Sequence, residues 1–370
     1  MTDGTRRREF LKGSVAFAGA ATAGGFSCIE IASAAPIQPP VVDKLTVNVL
    51  IDSSYDVFFK PSQVNGVSIQ AGPRATDFRR TLHNQWGLSL LLESQRASEQ
   101  RSLMLDYGYS PDALLNNIDI LKVDPSKITA LIISHGHFDH YGGLIGFLDG
   151  YREKLPVDVK LYAGGEDTFC HRLSRSGDGQ LADSGTLDRR ELAKRQVTTV
   201  LAEMPTVIEG HAFTTGRIKR TSIEKILPNS LVERKMEDGL GCDASHYTAA
   251  ELQGKIVPDE HVHEHATCFY VKDKGLVVIS SCGHVGIVNS VRQAQEVSGV
   301  LKVHAIAGGF HLGPAPKDYL DTVVAEIKKL EPDVVIPMHC SGNNFIQAMR
   351  EQMPENLIVT TTGSRITFGA

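Results

Sequence analysis

Apolar and polar positions alternate with a period of two from Leu45 to Ile51, the mark of a strand with one face on a core. The stretches Gly87 to Leu92 and Ser102 to Leu105 read the same way and are predicted to pair as a hairpin around the polar turn Glu93 to Gln100. Asp106-Tyr107-Gly108 ends the second arm, and Ser110 before Pro111 predicts a capped helix running through Leu121. Ile128 to Ile133 is an unbroken apolar run rich in β-branched residues, which predicts a buried strand, and Gly142, Gly143 and Leu144 open a short helix after it. Further on, Ala266 to Val271 and Leu276 to Ser280 predict a second hairpin across Asp273-Lys274-Gly275. A helix over Ile287 to Glu296 with Val288, Val291 and Ala294 on one face follows, then a strand over Val303 to Ala307, a helix over Asp318 to Leu330 and a strand from Val334. Between these regular halves, residues 164–254 are read as an insertion that borders or covers the site. Within it, Asp188 to Leu201 has helical spacing and the Ser, Gly and Asp-rich Ser174 to Gly185 reads as a loop.

The polar residues that matter sit where the strands stop. The run to Ile133 empties into Ser134-His135-Gly136-His137-Phe138-Asp139-His140, four potential metal ligands within six positions. In an extended His-x-His segment the two imidazoles point the same way, so His135 and His137 can reach one ion, while Asp139 and His140, one turn later, can hold a second. Three later strands end in Cys282-Gly283-His284, Gly308-Gly309-Phe310-His311 and Met338-His339-Cys340, bringing His284, His311 and His339 to one edge. The expected fold class is α/β, an αββα sandwich in which two sheets pack face to face, helices cover the outside and strand ends from both halves meet over a metal pair.

The His-x-His-x-Asp-His pattern of His135, His137, Asp139 and His140 resembles the signature of the metallo-β-lactamase superfamily. Together with CGHVGIVN, GGFHL, MHCSG and HAFTTGRI, it is similar to the branch named for dihydropterin-ribofuranosyl-aminobenzene-phosphate synthase, over nearly all of residues 44–370. The resemblance implies one site made of His135, His137 and a third histidine, and a second made of Asp139, His140 and His339, the last matching the superfamily's final histidine. For the third histidine His284 is preferred, after a strand end in a glycine-flanked loop. His263 and His265 are rivals, upstream of the hairpin where the superfamily's usual third histidine occurs. Asp106 matches an aspartate that buttresses the histidine loop. Cys282 stands where a bridging aspartate is common, and three roles stay open for it: ligand, support of a ligand, or neither. His311 is expected to handle substrate or protons rather than metal, with a core hydrogen-bonding role as the alternative.

The chemistry that follows is hydrolysis of an ester, lactone or phosphoester-type bond in a small molecule. Two divalent ions, zinc first and iron or manganese as alternatives, would activate water that Asp139 orients. Two other readings are kept: a transferase or synthase of the branch's named type, and a metal-binding or redox module, for which the chain lacks a flavin motif or redox partner domain.

Charge removes one class of partner. The net charge is -5 and Lys and Arg are scattered, so there is no basic footprint for nucleic acid. The amino terminus reads as an address: Arg7-Arg8-Glu9-Phe10-Leu11-Lys12 has the twin-arginine pattern, followed by a weakly apolar Gly13 to Phe26 and the small-x-small site Ala32-Ser33-Ala34. Residues 1–34 are thus expected to be a signal peptide read by the twin-arginine export machinery, the mature chain beginning near Ala35 in the periplasm. The apolar part is too short and Gly-rich for a stable membrane anchor. Beyond Cys28, the cysteines Cys170, Cys242, Cys268, Cys282 and Cys340 are odd in number and lack framework spacing, so no disulfide scaffold is expected. His171, His211 and His246 read as ordinary loop or core histidines.

Overall fold

The structure, a computed structural model, describes residues 36–227, 229–253 and 256–369, so the predicted signal segment lies outside it. Among the described residues, a nine-stranded sheet is centred on Ile128–Ile133, Glu99–Leu105, Ser89–Arg96 and Lys44–Ile51. The last strand, Ser364–Gly369, lies inside it, antiparallel to Lys44–Ile51 on one side and to Val67–Ala71 on the other. A seven-stranded sheet runs through Thr267–Val271, Gly275–Ser280, Val303–Gly309 and Val334–Met338, the last three mutually parallel.

Period-two burial builds the layers. On Ile128–Ile133, Ala130 and Ile132 join the core between the sheets, while Leu131 and Ile133 face the helices Pro111–Ile120 and Leu144–Tyr151. On Gly275–Ser280, Val277 and Ile279 point to the central core, and Leu276 and Val278 pack under the helices Ile287–Ser298, Lys317–Lys329 and Asn343–Gln352. The αββα sandwich is therefore present, with both sheets buried on both faces. No helix among the described residues is long and apolar enough to cross a membrane.

Three local expectations need correction. The first hairpin is longer than its apolar pattern: Glu93 to Arg96 stay in the strand Ser89–Arg96 and pair to Glu99, because cross-strand partners hold polar residues in the ladder beyond the core's edge. The segment Ser174 to Gly185 is not a loop. His171–Arg175 and Leu181–Gly185 pair antiparallel, and with Ser230–Glu233 and Val257–Pro258 they make a separate four-stranded sheet. Asp188 to Leu201 is only partly helical: Arg189–Lys194 is a helix, and Thr198–Leu201 joins the large sheet parallel to Lys160–Ala163. The cysteine expectation also fails, since Cys170 and Cys242 form a disulfide across 72 positions. Spacing could not announce a bridge between a strand edge and a distant loop.

Candidate metal centre

The strand Glu99–Leu105 ends at Asp106, a fully buried residue in the left-handed region at φ 58°. That costly conformation turns its carboxylate under the histidine loop. Oδ1 accepts the Ser134 backbone N–H at 2.8 Å, and Oδ2 accepts the Ser134 hydroxyl at 2.6 Å and lies 2.8 Å from His140 Nδ1. A carboxylate only accepts, so His140 carries its proton on Nδ1 and leaves Nε2 free to bind. His135 is fixed by relay: its Nδ1 lies 2.9 Å from the Ser134 oxygen, whose own proton is given to Asp106. Asp106 thus orients two imidazoles at once, in the buttress position that the resemblance implied.

The expected residues converge. His135, His137 and His284 form one group and Asp139, His140 and His339 another, the candidate ligand atoms within each lying no more than 4.8 Å apart. Ring centroids in the first group are 4.6 Å (His135 to His137), 4.9 Å (His135 to His284) and 4.6 Å (His137 to His284) apart. In the second, Asp139 Oδ2 lies 3.2 Å from His339 Nε2 and 3.6 Å from His140 Nε2. His284 is held by its backbone: its N–H and that of Val285 donate to the two oxygens of Glu264 at 3.0 and 2.8 Å. The rivals for the third position are engaged elsewhere. His265 Nε2 lies 3.1 Å from the Ile133 carbonyl, and His263 lies between Arg172 and Asp167.

Nε2 of His135, His140 and His284 are buried without a hydrogen-bond partner, and Nε2 of His339 has only Asp139 Oδ2, at 3.2 Å, beside it. Leaving one such atom orphaned costs about 1–3 kcal/mol. Burial and neighbouring histidines hold His135 and His284 well below the usual imidazole range, so both are neutral ligands in waiting. On the acidic side, burial pushes Asp139 up but His140 and His339 more than offset it, and the carboxylate stays ionised. Burial lowers His339, while Cys340 and Asp139 raise it further, to about 10, so this corner of the site calls for positive charge. The residues present therefore fit a divalent pair.

A cavity of about 660 Å³ opens over the two groups, with Trp86, Tyr109 and Phe138 at one side and Leu173, Ser174 and Ser230 of the small sheet at the other. His311 lines it too, but its Nδ1 faces Cys282 Sγ at 3.4 Å and its ring lies 4.1 Å from that of His284. His261, which sequence reasoning passed over, lines the same cavity, stacks on His284 at 4.2 Å and has both ring nitrogens buried without partners. The His-Val-His-Glu-His spacing of 261–265 was the available signal. Behind His261, the guanidinium of Arg172 donates to Asp259 at 2.9 Å and to the carbonyls of Asp167 and Cys170 at 2.8 and 3.0 Å. A Cβ on Gly136 would meet the Thr168 carbonyl at 2.3 Å and Arg172 Nη1 at 2.6 Å, so the glycine between His135 and His137 lets this wall close on the loop.

Residues 87–228, which carry the histidine loop and two of the four strands of the small sheet, match the model of the Metallo-beta-lactamase superfamily. The architecture agrees: a crystal structure of Tm1679, a metal-dependent hydrolase of the beta-lactamase superfamily, superposes with a TM-score of 0.63 at 21% identity, covering 87% of this chain and 98% of that one. The chain carries the metallo-β-lactamase fold. In sequence it is similar to the 7,8-dihydropterin-6-methyl-4-(beta-D-ribofuranosyl)-aminobenzene-5'-phosphate synthase of Methanocaldococcus jannaschii, 28% identical over 77% of this chain and 90% of that protein. It is also similar to an uncharacterized protein of that organism, 25% identical over 71% of this chain and 90% of the relative.

Proposed function

We propose that this metallo-β-lactamase-fold protein is an exported metal-dependent hydrolase that cleaves an ester, lactone or phosphoester-type bond in a small molecule. The observation that carries the reading is the pair of largely buried three-residue groups, with three orphaned imidazole nitrogens, under one open cavity. A divalent pair, zinc by the nitrogen and oxygen donor set, would supply Lewis acidity and bring a water's pKa to about 7. His135, His137 and His284 would hold one ion; Asp139, His140 and His339 the other. Asp139 is also the group that orients the attacking water, since its carboxylate is ionised, faces the cavity and is steadied by two imidazoles. The cavity wall offers Ser174, Asn229 and Ser230 as polar contacts, and Trp86, Tyr109 and Phe138 as apolar ones.

The test is a panel of chromogenic carboxylic, phosphoric and sulfuric esters and lactones, assayed on metal-loaded protein. Activity should rise with pH through about 7 and then level off, and Asp139→Ala should abolish it. His135→Ala should lose at least one of two bound ions. Turnover that survives complete metal removal sinks the reading. A second reading, a synthase or transferase using the same pair on a different acceptor, is favoured by the relative from Methanocaldococcus jannaschii. Silence across the panel with two ions bound moves the assignment there.

Export rests on Arg7 and Arg8, and the Cys170–Cys242 disulfide supports it, because such bonds persist in oxidising compartments. Changing both arginines to Lys should leave the precursor in the cytoplasm. Normal periplasmic yield of that double variant would remove the twin-arginine route.

A further inference from the structure

Two buried, unbridged cysteines lie at the cavity outside both three-residue groups. Cys282 follows the strand Gly275–Ser280, His311 follows Val303–Gly309 and Cys340 follows Val334–Met338, so three adjacent parallel strands deliver these side chains together. The sulfurs are 3.1 Å apart, His311 Nδ1 is 3.4 Å from Cys282 Sγ, and the His311 backbone N–H donates to Cys340 Sγ at 3.2 Å. Their ligand atoms lie within 4.8 Å of one another. The backbone is bent to achieve this: His311 and His339, which precedes Cys340, are both left-handed, at φ 49° and 48°. A Cβ on Gly309 would stand 2.9 Å from Cys340 Sγ and 2.3 Å from the Ser281 carbonyl, so the glycine leaves the thiol its space.

We propose that Cys282, Cys340 and His311 form a third cation position, separate from the two nitrogen and oxygen groups and selective for a thiophilic divalent ion of the zinc or cadmium class. It rests on the reading of the cavity as a metal centre but uses none of the six ligands assigned to the pair. Soft sulfur donors select such ions over magnesium, calcium or manganese. Two thiolates cancel the charge of one divalent ion, so filling the position adds no net charge beside the pair. On uptake both sulfurs bind as thiolates, any proton a sulfur still carries leaving to solvent as its S–H bond gives way to a sulfur–metal bond, with no change in oxidation state. With metal–sulfur bonds of about 2.3 Å in a tetrahedral shell, the sulfurs would stand roughly 3.8 Å apart. The two sulfurs must therefore part by roughly 0.7 Å, a side-chain adjustment.

The test uses the full chain loaded with Co2+, whose bonds to thiolate give a near-ultraviolet charge-transfer absorption that imidazole and carboxylate ligands do not. Expected are three cobalt ions per chain and that absorption, halved in Cys282→Ser and in Cys340→Ser and absent in the double variant, which keeps two ions. His311→Ala retains both sulfurs and should keep the absorption while giving up the third ion to a chelator more readily than the unaltered protein, which covers the case where the double variant does not fold; unchanged release overturns His311 as a ligand. Two cobalt ions with no sulfur absorption overturn the third position and leave the hydrolase reading standing. Absorption that depends on Cys282 alone also overturns it, placing that thiolate on the pair with His135 and His140. No cobalt at all overturns both.

Discussion

On the sandwich side of the cavity, the ligand-type residues follow strand ends, and Asp106 steers two of them, His140 directly and His135 through the Ser134 hydroxyl. On the side of the small sheet, nothing follows a strand rule. That wall is held by a buried guanidinium, Arg172, among Asp167, Asp259 and His263, and by the Cys170–Cys242 bridge nearby. Burial pushes Asp259 up, but His261 and Arg172 hold it well below the usual carboxylate range. One wall is periodic packing with polar groups at its rim, and the other is a charge network with little core of its own. The first is suited to placing ligands and the second to shaping what reaches them.

If the walls are separate in this way, substitutions should divide between them. The largest effect is expected from Arg172→Leu, which strands two buried carboxylates and should cost about 3–5 kcal/mol in urea denaturation. The ligands on the sandwich side should still take up metal in the folded fraction. Next, replacing both Cys170 and Cys242 by Ala should cost about 2–4 kcal/mol, since the bridge closes a long loop; a melt that does not shift would show the charge network alone holds the wall. Asp106→Asn keeps the shape but disturbs the relay, and should weaken metal binding by about 10- to 100-fold in chelator competition. Equal metal loss in Arg172→Leu and Asp106→Asn would erase the division.

The smallest effect concerns pH. Burial raises Glu264 to about 7, against the lowering by its bonds from Val285 and His284. In the folded protein this acid therefore keeps its proton above the ordinary carboxylate range, where the unfolded chain has lost it. Its contribution to stability accordingly falls as pH rises from about 4.5 to about 7 and is level beyond. Glu264→Gln should flatten that slope in chelated protein. An unchanged slope would show that the carboxylate is ionised throughout and that its two backbone bonds dominate.

The legible part of this molecule was the periodic part. Ile128–Ile133 announced itself by burial on both faces, and the chemistry at its end by ligand residues that packing does not need. The strands before His284, His311 and His339 could be read in the same manner. The small sheet could not, because Leu181–Gly185 pairs through its backbone while its side chains are polar and largely exposed. Asp167, Arg172 and Asp259 look like surface residues in sequence, and only their convergence from distant positions makes a buried network. Ser110 shows a milder limit: it precedes a helix as expected, yet accepts no bond from the helix's own N–H groups and lies 3.3 Å from Gln85 Nε2 instead.

The chain's only tryptophan, Trp86, stands with its ring 4.7 Å from that of His339, and the N–H of the next residue, Gly87, donates to His339 Nδ1. The protein thus carries an optical gauge at the mouth of its own centre. Light emitted from Trp86 has no competing indole to dilute it, so a paramagnetic ion entering beside His339 should dim the whole signal, and a bound ligand covering the indole should shift its colour. Filling and emptying of the cavity can then be followed in real time on unmodified protein, before any substrate is known.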